Sequence, residues 1–147
     1  MDLACRGLQL AVGVKLGNII DEIGTPDFFN AFFSTISGNL EPQGWGSRFP
    51  ILMRSLYAGA VEQSQAKSAL QELDTIHSEL ATLPITHVIW DIEDRSKCPP
   101  WGNNTADTIT DLSNYFVTST GRDLIALLQE VLIELRDSGG TAKVVSY

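Results

Sequence analysis

The stretch Leu8–Ile36, LQLAVGVKLGNIIDEIGTPDFFNAFFSTI, passes from a strand-like run to a helix-like one within thirty residues. Leu8–Leu16 mixes β-branched and small apolar residues over a strand's length and stops at Gly17, which predicts a strand at or near the centre of a sheet. After Gly24, Thr25 stands at an N-cap position, Pro26 at the first helical position, and Asp27 in the first turn, where it meets the positive end of the helix dipole. Phe29, Phe32, Phe33 and Ile36 then share one helix face at spacings of three and four, with Phe28 on its flank. So much aromatic mass on one short helix predicts the heart of a core rather than an exposed binding stripe.

Working outward, Leu40–Gly46 (LEPQGWG) places turn formers around Trp45, and Arg48–Ala58 resumes as a short helix after Pro50. Ala66, Ala69, Leu70, Leu73, Ile76, Leu80 and Leu83 recur at near-helical spacing, with Lys67, Gln71, Glu72, Asp74, Glu79 and Thr82 on the solvent side. Pro84 ends that helix, and Ile85–Ile92 reads as a second, buried strand. Turn formers dominate Glu93–Tyr115, a loop long enough to be functional. Thr118 or Thr120 caps a last helix running to about Asp137, closed by Gly139-Gly140, and Thr141–Tyr147 forms a terminal strand. This order predicts an α+β or α/β single domain spanning 1–147, with a small central sheet of about three or more strands packed with helices. The crossovers are long enough for parallel pairing, and strand order is left open.

The chain carries 18 acidic against 10 basic residues, a formal charge of -8, and its 44% apolar content fills one core. An acidic chain without clustered cations is repelled by phosphate backbones, so direct nucleic-acid binding is disfavoured. The same charge serves solubility or the attraction of a basic partner. Cys5 and Cys98 have no metal-ligand spacing and read as free thiols in a reducing cytoplasm. Met1–Cys5 superficially resembles a lipoprotein cleavage site without a signal segment, so export is not expected. The apolar runs are too short to span a bilayer, and membrane association is not expected either.

Catalytic patterns fit poorly. On a continuing strand Asp91 and Glu93 would share a face, as a metal site or acid–base pair requires, but Arg95 stands where a nuclease-type pattern wants lysine. His77 and His87 have no ligand partners at suitable spacing. Neither a phosphate-binding loop nor a nucleophile elbow is present, and no cofactor is expected. A metal-dependent hydrolase using Asp91 and Glu93 therefore remains the rival to a binding module, which is itself either a toxin inhibitor or an adaptor for some other protein. The binding reading rests on Trp45 and Trp101 in turn-rich loops and on Asp91, Glu93 and Asp94 at a predicted strand end, an arrangement of aromatic anchors with a charged rim.

Four segments together resemble the immunity protein 70 family of bacterial polymorphic toxin systems: Gly17–Gly24 (GNIIDEIG) running into TPDFFNAFFSTIS, then Leu40–Gly46, then VIWDIEDRSKCPPWG beginning at Val88, and Ile109–Leu124 (ITDLSNYFVTSTGRDL). The resemblance leaves out residues 1–7, read as an N-terminal extension, and the last seven residues. It implies a small cytoplasmic protein made beside a toxin, including toxins delivered by contact-dependent growth inhibition, that binds the cognate C-terminal toxin domain and blocks it without catalysis. The family pattern defines no contact residues. Charge and expected exposure nominate Asp91, Glu93, Asp94 and Trp101, with Asp21, Glu22 and Trp45 in second rank. Oligomeric state is left open, because an apolar stripe serves equally as core or dimer seam.

Overall fold

The computed structural model describes residues 11–100 and 105–147. It is an α+β domain in which a four-stranded antiparallel sheet is packed with helices. Strand β1 (Val12–Leu16) lies between β2 (Ile19–Gly24) and β4 (Thr141–Ser146), and β3 (Ala60–Glu62) completes the order β2-β1-β4-β3. The predicted central position of β1 is therefore observed. β2 is a strand that the sequence reading passed over. Gly17, at φ 63°, and Asn18 form a two-residue turn that returns the chain antiparallel, pairing Leu16 with Ile19 and Val14 with Asp21. Among the described residues every strand pairing is antiparallel, so the parallel option is not used there.

Pairing assigns the faces of the sheet. Val12, Val14, Val61 and Ala142 are buried beneath the helices, whereas Lys15, Ile20 and Lys143 occupy the opposite, exposed face. Helix α1 (Pro26–Leu40) starts as its sequence dictates: Thr25 Oγ1 accepts the Phe28 N–H at 3.2 Å, and Pro26 opens the first turn. Its phenylalanines are all buried. Phe28 and Phe32 meet Phe116, while Phe29 and Phe33 meet Tyr57. Helix α2 (Gln63–Leu80) begins a few residues before the predicted stripe, with Glu62 and Gln65 closing a capping box. It packs against α3 (Leu124–Ser138) along Ala66, Ala69, Leu73, Ile76 and Leu80, residues buried in the same core as the apolar face of α3. Between α1 and β3, Ile51–Leu56 forms a π-type helical segment. No described helix is long and apolar enough to cross a membrane.

Two expectations fail for identifiable reasons. Ile85–Ile92 is not a sheet strand. After Pro84 it makes a single 3-10 turn at Ile85–His87 and then runs across α1, whose polar side chains take over its backbone hydrogen bonds. Thr35 Oγ1 both accepts from Ile89 N and donates to Ile89 O, Asn39 Nδ2 donates to His87 O, and Ser34 Oγ accepts from Ile92 N. Helix side chains thus do the work of a neighbouring strand. Secondly, α3 is capped by Asp123, whose carboxylate accepts the Ala126 N–H at 2.9 Å, and not by Thr118 or Thr120. Thr118 is committed to a tight loop, exchanging hydrogen bonds with Arg122 at the Val117–Asp123 bridge.

Candidate functional site

The nominated residues that are described do not form one surface. Asp91 and Asp94 head two successive turns: Asp91 O accepts from Asp94 N, and Asp94 O accepts from Lys97 N. Their carboxylates close the same turns, Asp91 on the Glu93 N–H at 2.9 Å and Asp94 on both the amide and the hydroxyl of Ser96. The Ser96 hydroxyl, with its amide, holds the Asp94 carboxyl below its ordinary range. Because the chain turns here, Asp91 and Glu93 do not stand side by side on an extended strand, and the geometry proposed for a metal pair does not form. Among the described residues, no group of three His, Cys, Asp or Glu side chains is arranged to hold a metal ion. Lys97 lies 3.5 Å from Asp91, and Arg95 is nearby in sequence, so the three acids of this loop leave a net charge of only one negative unit. Trp101 lies outside the described residues.

Trp45 and Glu93, distant in sequence, line one open groove of about 560 Å³ together with Gly38, Ile92 and Arg95. Gly38 lets the segment that leads to Glu93 lie close on α1: a Cβ there would fall 2.2 Å from Ile89 Cδ1. Trp45 is held rather than presented. Its indole N–H donates to Met53 O at 2.7 Å and its ring meets Tyr57 edge-on at 5.1 Å. Beneath it sits Glu41, only 3% exposed, whose carboxylate accepts the N–H groups of Gly46, Arg48 and Phe49. This explains the LEPQGWG stretch: the acid gathers the loop's amides, and Gly46, at φ 81°, passes where a Cβ would strike the Arg54 side chain. Arg48 then ties the loop to α2 by a two-pronged pair with Glu79, both contacts at 2.7 Å.

Asp21 and Glu22 lie on β2 and, being adjacent on a strand, point to opposite faces. Glu22 accepts from the Ser119 and Tyr147 hydroxyls on the exposed face. Asp21, on the helix side, pairs with Arg122 at 2.8 Å, and Arg122 also reaches Glu130 on α3 at 2.9 Å. Here the hairpin tip and the C-terminal half of α3 enclose a larger groove of about 930 Å³. Sequence reading missed its other principal residues, Ile19, Glu130, Ile133 and Glu134. One signal was present: Ile133 falls outside the apolar register of α3, and an aliphatic residue out of register is an exposed one. The structure thus joins Trp45 to Glu93 and places Asp21 in a separate groove.

No curated protein and no solved structure matches the chain. Residues 14–144, nearly its whole length, match the family described as immunity protein 70, and the chain belongs to that family.

Proposed function

We propose that this protein is the cytoplasmic immunity partner of a bacterial toxin domain, including one delivered by contact-dependent growth inhibition, and that it neutralises the toxin by binding it, without catalysis of its own. The observation that carries the reading is the family match across residues 14–144. The charge of -8 supports a toxin with a basic cleft, such as a nuclease, because an acidic inhibitor is steered towards a surface built to attract phosphate. In this proposal Asp91, Glu93 and Asp94 contribute association rate and specificity, with Trp101 following them in sequence and Trp45 walling the adjacent groove.

The test is co-expression with the toxin domain encoded in the neighbouring reading frame, alongside calorimetric titration of the two purified proteins. Protection of growth and a 1:1 complex are expected. Asp91→Lys with Glu93→Lys weakens that complex by about tenfold or more through repulsion and slower encounter, with thermal unfolding little changed because Glu93 is exposed and Asp91 partly so. Unprotected cells and no complex would overturn the immunity reading, whereas a complex unaffected by the double substitution would remove only this loop from the interface.

A further inference from the structure

The geometry points to the groove between the β1–β2 hairpin and α3 as the docking site for a segment of the toxin that presents an apolar side chain flanked by lysine or arginine. This rests on the immunity reading and identifies the partner chemistry it requires. The groove is built for such a segment in two respects.

Its apolar part is exposed and lies outside the buried core. Ile19 is 67% and Ile133 42% exposed, and both sit beside Leu16 and the buried Val131 in a concavity rather than on a convex surface. Interface hot spots cluster in well-packed pockets from which water is excluded, and a concavity with exposed apolar walls offers one. The Trp45 groove offers charge but no comparable anchor, since its indole is already turned inward to Met53 and Tyr57.

Its rim is net acidic. Asp21, Glu130 and Glu134 are among its lining residues and no lysine or arginine is, while Arg122, bonded to both Asp21 and Glu130, offsets one of the three charges and leaves Glu134 unpaired with any cation among the described residues. The C-terminal end of α3, Ser138 with Gly139 and Gly140, completes the wall and adds the negative end of a helix dipole. Charge also decides against a second copy as the occupant. A twofold contact would set these acids against their own equivalents in a chain already carrying -8. A cationic, apolar-tipped segment satisfies both features together.

The experiment titrates a catalytically inactivated form of the toxin domain from the neighbouring reading frame into the wild-type chain, Ile19→Lys, Ile133→Lys and Glu134→Lys, and also records each protein's thermal midpoint and sedimentation. All three replaced residues are exposed, so near-native midpoints are expected. Affinity falls by about tenfold or more in each variant, and for Glu134→Lys the remaining binding loses part of its salt dependence. Binding within about twofold of wild type for all three would overturn the groove assignment while leaving the immunity reading in place. A wild-type dimer abolished by Ile19→Lys would overturn it in favour of a second copy. Wild type that fails to bind the toxin overturns the immunity reading, and the groove assignment with it.

Discussion

Glu41 shows how one buried acid sets a whole loop. Its two oxygens receive three backbone N–H groups from residues 46–49, and so the carboxylate replaces secondary structure for a segment that has none. Removing it leaves buried donors without acceptors, and hydrogen bonds to charged groups contribute about 1.5–3 kcal/mol each, partly offset by the cost of burying the charge. Glu41→Ala is therefore expected to destabilise the fold by about 2–4 kcal/mol in denaturant unfolding, and Glu41→Gln by less. Glu72 follows the same pattern. Its helical spacing assigns it to the solvent side, yet its carboxylate accepts from Ile51 N and Leu52 N and caps the π-type segment. Its partial burial is not visible from its own helix, because the covering element comes from another part of the chain.

At the scale of elements, the instructive segment is Ile85–Ile92. Its composition is that of a strand, and Ile89 and Trp90 are buried, as a strand's apolar residues would be. It is bonded instead to a helix, and Thr35 is the main fastening because it serves both the N–H and the C=O of Ile89. Thr35→Val keeps the shape but leaves both groups unpaired in a buried place, at a cost of about 1–3 kcal/mol. Amide exchange should speed up at Ile89 and Ile92 while the sheet amides of Val14 and Val144 stay protected; uniform loss of protection would mean that the segment is part of the global folding unit. The helices themselves were largely legible. Thr25-Pro26 fixed the start of α1 and Gly139-Gly140 the end of α3, since capping chemistry is local. The hairpin was not anticipated: Gly17-Asn18 does lie between apolar runs, but the second run is interrupted by Asp21 and Glu22, which hides its strand character.

For the whole molecule, the carboxylates give opposing pH responses. Ser113 holds Asp111 below its ordinary value, and Arg48 does the same for Glu79. The stabilisation from these two is present above the unfolded values near 3.8 and 4.5 and is lost as pH falls through the lower folded values. Burial raises Glu72 instead, so its contribution is present below about 4.5 and is lost as pH rises through its folded value. Acidification from neutrality should raise the thermal midpoint slightly before lowering it, and Glu72→Gln should remove the rise while leaving the fall. A Glu72→Gln profile parallel to wild type throughout would rule out Glu72 as the source.

Sequence alone determined the helices, the aromatic core of α1, the central place of β1 and the family, because periodicity, caps and motif order are written in neighbouring residues. Tertiary structure decided what depends on residues far apart. It turned Trp45 inward, set Glu93 beside it, bonded Ile85–Ile92 to α1 instead of the sheet, and brought Ile19 and Asp21 of the hairpin against Ile133 and Glu134 of α3. A groove has two walls, and when they lie more than a hundred residues apart in the chain, no local pattern in either one describes the space between them.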